Sequence, residues 1–402
     1  MSKMRRLVVA AMALAAAVTF TPVKASAFKV NDNNDVYGYT TMWGILDESA
    51  FNTAKDSSGE KGKDKSFGFQ LKQARLGAKG NMADGVLGYA VLFDGAGSSG
   101  SGTGTTSNVA FVEGWATVRP LGKNFDINIG QFRPYGSYEV GVVSGADIVN
   151  LDVFAAGSKQ MAGFLAGSNN TRDRGIEFVV KNIAEIATLK ISATNGYGNN
   201  GDVGGSLSGS KAIWSNGMLD AAYTAALIVK PFEGFRLNAG YGMNKHDNAV
   251  VNLNSYSGTV GSDGTAVTVT NSNSKTVVDL DRKMYSAGFE LDLHDAGLWI
   301  DGEYASLKAD DKDTLKPGYE VKGWYLRAGY FLLPKTLELV ACYEAAEETA
   351  KTGAEKDKET QYMLAARYHL DKLVFTLEYE KRDYDNSNDD PTRLAFRTVL
   401  KY

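Results

Sequence analysis

The sequence predicts an all-β chain folded as a transmembrane antiparallel β-barrel of about 16 strands, and three observations carry that expectation. Apolar–polar alternation recurs in segment after segment, as in Trp324–Leu332, Leu337–Tyr343, Leu373–Tyr379 and Leu394–Tyr402. The connectors between such segments alternate between short and long. Aromatic residues gather at both ends of the alternating segments. A two-residue period means one apolar and one wet face, and repeated strands of about 9–11 residues with that pattern are the signature of a barrel in a bilayer. Composition agrees: 44 Gly, 20 Tyr and 18 Phe stand beside only 7 Pro and 1 Cys in 402 residues.

The first element is a targeting segment. Met1–Arg6 is basic, Leu7–Phe20 is apolar apart from Thr19, and Ala25-Ser26-Ala27 is a small-x-small site, which together read as a signal peptide cut after Ala27. A membrane anchor is the alternative, but the apolar run falls short of the roughly 20 residues a spanning helix needs. Residues 28–402 then form one barrel domain. Without Lys3, Arg5, Arg6 and Lys24 the formal charge deepens from −4 to −8, which excludes nucleic acid as a default partner.

Sixteen strands follow: Val36–Ile45, Phe67–Gly80, Leu87–Asp94, Val109–Val118, Phe125–Phe132, Gly175–Asn182, Leu189–Tyr197, Leu219–Val229, Phe235–Met243, Tyr285–Leu293, Leu298–Leu307, Val321–Leu332, Leu337–Glu344, Tyr362–Leu370, Leu373–Arg382 and Arg393–Tyr402. Short turns such as Asp371–Lys372 belong to the periplasm and long polar loops to the outside, so an even count leaves both ends in the periplasm. The apolar parity of Phe67–Gly80 changes between Phe69/Leu71 and Leu76/Ala78, which predicts a bulge. Segment 244–284, a Ser/Asn/Thr-rich run around Asp263-Gly264, is read as an extracellular hairpin; counting it as two more membrane strands would give 18. On the outward parity, Trp43, Phe93, Tyr241, Tyr285, Tyr304, Trp324, Tyr343, Tyr362 and Tyr379 mark the outer boundary. Tyr37, Phe125, Phe235, Tyr330, Tyr368, Phe375 and Tyr402 mark the inner one.

The opposite parity is charged. Arg75, Arg236, Asp301, Glu303, Arg327, Glu338, Arg367, Glu378 and Arg397 fall on the lumen wall. Such residues are costly in lipid and cannot fill a dry core unpaired, so they imply an aqueous lumen in which some pair across the wall. Connector 133–174 is too apolar for a surface loop and is expected to fold back as a constriction, bringing Arg133, Glu139, Asp147, Asp152 and Lys159 to the waist. A surface or subunit-contact loop is the alternative. No cofactor, metal or catalytic residue is expected: His246, His294 and His369 stand in no ligand or nucleophile motif. The Gly-rich runs Gly95–Gly104 and Gly196–Gly201 lack the helix that a phosphate cradle requires.

Four motifs add a resemblance. Gly130-Gln131-Phe132-Arg133-Pro134-Tyr135-Gly136 with Glu139, Arg172-Asp173-Arg174-Gly175, Ala74-Arg75-Leu76-Gly77-Ala78-Lys79-Gly80 and Asn195-Gly196-Tyr197-Gly198 are similar to segments of phosphate-selective porin O/P-type outer-membrane proteins. The resemblance implies a sixteen-stranded homotrimer in the outer membrane of a Gram-negative bacterium, with a third loop that narrows the channel. Phosphate-selective members use an arginine ladder and lysine clusters, whereas here Lys159 is the only basic residue between Arg133 and Arg172. The expectation is therefore a general diffusion channel in outer-membrane lipid for small hydrophilic solutes and ions, weakly selective and leaning to cations at low salt. A phosphate- or anion-selective channel is one alternative. A scaffold barrel housing a partner such as a multihaem cytochrome is another, and the long loops could also serve surface adhesion or phage binding.

Overall fold

A computed structural model describes residues 28–31, 33–47, 66–95, 110–144, 146–149, 154–165, 171–196, 221–260, 267–310, 319–350, 357–385 and 392–402. The sixteen strands β2–β17 form a closed antiparallel barrel in which each pairs with its chain neighbours. They run β2 Asn34–Asp47, β3 Ser66–Met82, β4 Leu87–Asp94, β5 Ala110–Val118, β6 Phe125–Phe132, β7 Asp173–Ile183, β8 Ala187–Thr194 and β9 Ala221–Phe232. The second half is β10 Phe235–Val260, β11 Val267–Leu293, β12 Leu298–Ala309, β13 Tyr319–Leu333, β14 Leu337–Ala350, β15 Asp357–Leu370, β16 Leu373–Tyr384 and β17 Thr392–Lys401. Each corresponds to one expected strand. A short β1, Phe28–Asn31, folds back on the start of β2. The seam closes by β17 pairing with β2, from Arg393↔Asp47 to Lys401↔Tyr39. Beyond it Gly38 and Tyr402 exchange backbone hydrogen bonds of 2.8 and 3.0 Å.

Segment 244–284 adds no membrane strands: β10 and β11 continue through it, paired as far as Val260↔Val267. The expected bulge lies in β3, where Thr41 faces Gln73 but Met42 faces Leu71. It turns Leu76, Leu71 and Phe69 to the same outer face, at 53%, 46% and 66% exposure. Without that extra residue, Leu71 and Phe69 would point into the wet lumen.

The outer surface is apolar and the lumen polar, the reverse of a water-soluble core. Leu326, Leu339, Leu364 and Leu377 on β13–β16 are exposed to the lipid side, while Arg327, Glu338 and Glu378 on the other parity are buried. Aromatic pairs mark both boundaries. At the outer one, Tyr343 lies 5.2 Å from both Trp324 and Tyr362, centroid to centroid. At the inner one, Phe232 stacks on Phe235 at 5.1 Å. Strand β2 departs from the expected parity: Met42 faces outward, and Trp43 and Tyr37 share the lumen side with Tyr39 and Thr41. The aromatic rings of β2 fill space beside the loop inside the barrel: Tyr39 packs with Ala146 of that loop, and Trp43 lies against Ala395. No helix among the described residues is long and apolar enough to cross a membrane.

Candidate functional site

The described residues of the connector between β6 and β7, here L3, pack on the inner side of the barrel wall and include two helices, α1 (Tyr138–Gly141) and α2 (Ala155–Phe164). Neither helix was evident from hydrophobic periodicity. After α1 the loop crosses to the seam, where the Ile148 and Val149 carbonyls accept from Arg397 Nη2 at 2.8 and 2.7 Å. It returns to β13, with Phe154 edge-on to Tyr325 at 4.9 Å. Helix α2 then lies along β11–β14. Gln160 Nε2 donates to the carbonyls of Tyr285 and Ser306 at 2.6 and 2.9 Å, and Arg282 donates to the Gly163 carbonyl. Phe154, Ala156, Met161, Phe164 and Leu165 are each at most 1% exposed. This is the apolar content that made the segment look inward-folded: it packs a small core between the loop and the wall.

The motifs noted in the sequence are the hinges of this loop. Gly130 has φ +145°, and a Cβ there would lie 2.3 Å from the Gly114 carbonyl oxygen, so only glycine fits. Gln131 Nε2 donates to the Val112 carbonyl at 2.8 Å, and its Oε1 accepts from Arg174 at 3.1 Å. Arg133 at the start of L3 and Arg172 at its end both bond Glu113 Oε1, at 2.9 and 2.8 Å. Burial first, and the adjacent Arg133 second, bring the Arg172 guanidinium down to about 10, so it stays protonated at neutral pH. Asp173, fully buried, accepts the Gly196 N–H at 2.5 Å. Asn244 Nδ2 joins the Gly196 and Phe164 carbonyls at 2.9 and 2.5 Å, tying the end of β8 to α2.

The expected site residues divide into several groups. Glu139, expected to face water at the waist, is 2% exposed: it bonds Arg327 at 2.9 Å and the Phe154 N–H at 2.8 Å. Asp147 does reach water, paired with Lys401 near the seam. Lys159 is part-exposed, 3.6 Å from Glu348 and 3.8 Å from Glu359. Asp152 lies outside the described residues. On the wall, Arg75 bonds Asp94 at 3.0 Å and the Tyr39 hydroxyl at 2.7 Å. Arg236 pairs with Glu290 and lies 3.4 Å over the Tyr138 ring. Asp301 grips Arg327 with both oxygens, at 2.9 and 2.5 Å. Glu303 accepts the Tyr138 and Glu139 N–H groups at 2.5 and 3.2 Å. Glu338 takes Arg367, His369 and Trp299 at 2.8, 2.8 and 2.5 Å. Glu378 is 1% exposed on β16.

Arg327 and Arg397, expected to look across open water at the loop, touch it instead. Sequence parity shows the face of a residue but not the loop that covers it. Glu113 and Tyr39 were missed altogether. The signal for Glu113 was its being the lone charge of Ala110–Val118, on the parity opposite the lipid-facing Ala116.

A second pattern concerns how charges share partners. Asp126 serves both Arg119, at 3.1 Å, and Lys181, at 2.5 Å, just as Glu113 serves two arginines. Lys79 rests over the Tyr37 ring at 5.4 Å. Arg327 of β13 shows the reverse sharing, held by both Asp301 and Glu139, while Glu303 and Glu344 accept loop N–H groups. No cluster of metal-ligating side chains occurs among the described residues.

Comparison with known proteins places this architecture. A barrel with a TM-score of 0.60 at 17% identity is OmpTdeltaL8, a loop-deletion mutant of an outer membrane protein of Vibrio cholerae, aligned over 92% of this chain and 99% of that one. The outer membrane channel DcaP of Acinetobacter baumannii gives 0.60 at 15% identity over 94% and 100%. An anion-selective porin from Comamonas acidovorans gives 0.59 at 12% identity over 92% and 99%. At these identities the likeness is one of fold. No curated protein matches the sequence significantly. The model of the family "Phosphate-selective porin O and P", however, matches residues 48–402, almost the whole barrel. The chain therefore belongs to the phosphate-selective porin O and P family, and is an outer-membrane channel of a Gram-negative bacterium.

Proposed function

We propose that this channel passes small hydrophilic solutes and ions by passive diffusion, without turnover chemistry, with L3 (residues 133–174) as its constriction and a weak preference for anions. The observation that carries the reading is where the charges are engaged. The described body of L3 bonds or packs on β2 and β10–β17, and Glu303 and Glu344 of the β12–β14 wall bond that loop. The free passage then runs along the β3–β9 arc, where Asp126 is shared by two cations and Lys79 stands over a ring. Wall charge of one sign favours permeant ions of the other, and more so where little water screens it. The sequence count, nearly balanced with acidic outer loops, favoured cations; the bonding pattern moves the lean to anions.

Reversal potential of the purified channel under a tenfold KCl gradient tests this. A chloride-favouring potential that shrinks as salt rises is expected, and a potassium-favouring one overturns the lean. Block of chloride current by micromolar phosphate would instead establish the phosphate-selective reading that the family's description suggests. A barrel built around a protein partner is less well supported, because the described residues of L3 pack on the lumen side of the wall. Assembly as a homotrimer and export by residues 1–27 belong to the same proposal. Cross-linking in detergent and N-terminal sequencing of the mature protein, expected to begin at Phe28, test them.

A further inference from the structure

L3 is held to the wall by two kinds of contact, and they act on different parts of it. Apolar burial holds α2 through Phe154, Met161, Phe164 and Leu165. The segment around α1 adds Tyr135 and Val140 to that burial, but a one-turn helix has no stability of its own. What meets that segment is Glu303 of β12, whose two carboxylate oxygens accept the N–H groups of Tyr138 and Glu139. At the return point the pattern repeats: Glu344 of β14 accepts the Ala155 N–H at 2.6 Å, and Glu139 accepts the Phe154 N–H. Glu303 and Glu344 are each 4% exposed, and among the described residues neither is in an ion pair. The remaining bond of Glu303 is a long one, 3.3 Å, from Asn238 Nδ2. Glutamates in a lumen wall normally find a lysine or arginine, as Glu338 and Glu380 do here. These two find loop backbone instead.

We propose that Glu303 and Glu344 are positioning residues of the constriction: wall carboxyl groups that grip the backbone of L3 at its two inward corners and thereby fix the aperture. The proposal rests on the reading of L3 as the constriction. A carboxylate suits the task because it only accepts. On Glu303 the two oxygens reach two successive amides. A glutamine of the same shape offers one acceptor and turns its own amide hydrogens toward the second N–H. Acceptor chemistry, more than volume, should therefore decide the loop's position.

The test uses the full-length channel with a thiol reporter under the loop. Val140, 4% exposed on α1, becomes Val140→Cys in a Cys342→Ala background, so the reporter thiol is shielded while α1 is seated. Maleimide labelling rate and unit conductance are measured for this parent and for Glu303→Gln, Glu344→Gln and their combination, all judged folded by heat-modifiable mobility. Loss of one such bond should raise labelling by up to about tenfold, the effect of a hydrogen bond on a loop-opening equilibrium, with larger and noisier conductance in the double variant. Labelling and conductance equal to the parent in both single variants, or in the double one, overturn the proposal and leave apolar packing as what holds L3. Faster labelling at unchanged conductance would keep the grip on L3 but overturn the claim that it fixes the aperture, and with it the reading of L3 as constriction. Larger conductance in a deletion of residues 140–160, beside glutamine variants that behave as the parent, overturns the grip alone. If the double variant does not assemble, the single variants carry the same comparison.

Discussion

Replacing Glu113 by glutamine removes the carboxylate that two arginines share at the two ends of L3, Arg133 at 2.9 Å and Arg172 at 2.8 Å. The shape of the side chain is kept and one negative charge is lost from the β5 wall. For an ion passing about 6 Å away in water, a unit charge is worth ~0.7 kcal/mol before screening. At 0.1 M salt, with a Debye length of about 10 Å, screening reduces this to ~0.4 kcal/mol. That raises chloride occupancy about twofold and lowers potassium occupancy about twofold, so the permeability ratio shifts roughly fourfold toward chloride. At 1 M, with a Debye length of about 3 Å, the energy falls to ~0.1 kcal/mol and the shift to about 1.4-fold. The assay is reversal potential across planar bilayers under matched gradients at both salt levels. Asp126→Asn, which removes the acid shared by Arg119 and Lys181 at the foot of β6, serves as the parallel case that leaves the loop ends untouched. A ratio unchanged in both variants at 0.1 M would refute the argument, since it would mean that ions do not pass along this arc. A fourfold shift that persists at 1 M would refute it differently, by showing a dry, unscreened contact with the ion.

Deleting residues 140–160 should raise single-channel conductance severalfold in a barrel that still shows heat-modifiable mobility; unchanged conductance would place L3 outside the permeation path. Arg327→Met strands Asp301 and Glu139 in a buried site and should destabilise by about 3–5 kcal/mol, read as a lower temperature for loss of the compact band on gels, with partial recovery when Glu139→Gln is added. Gly130→Ala meets both a positive φ and a carbonyl 2.3 Å from the new Cβ, and should cost at least about 1 kcal/mol by the same gel assay. The intact protein should resist SDS until heated and give a strand-type circular dichroism spectrum; a spectrum dominated by helix would refute the barrel.

The barrel was legible because its rule is local. A strand between lipid and water must alternate, so Trp324–Leu332 declares both its structure and its faces without reference to any neighbour. The bulge in β3 was legible for the same reason, as a break in parity between Leu71 and Leu76. Where a residue's surroundings are set by a distant segment, the reading failed. Tyr37 and Trp43 look like boundary aromatics, but they lie on the lumen side, Tyr37 beneath Lys79 and Trp43 against Ala395 of the seam strand. Connector 133–174 betrayed its inward path through an excess of apolar residues, yet Gln160 and Asn244, which bond strand and loop carbonyls up to 146 positions away, carry no local mark. Glu139 and Glu303 were recognised as inward-facing charges; that one grips Arg327 and the other bare backbone depends on the loop's three-dimensional course alone.

The seam has a consequence for how the molecule comes into being. Every other strand pairing in the barrel joins neighbours in the chain, so each hairpin can form as soon as its two strands exist. The pairing of β17 with β2 joins residues roughly 360 positions apart, and loop closure of that length is the slow, entropically costly step of such a topology. Until it happens the sheet has two open edges, β2 and β17, each a row of unpaired backbone groups able to recruit another chain. Assembly must therefore keep both edges occupied or shielded while the intervening hairpins accumulate. Substitutions at Gly38 and Tyr402, whose backbones make the final exchange, should then act mainly on the rate of barrel completion and on losses to aggregation along the way. Once the seam is shut, the sheet has no edge at which unravelling could begin.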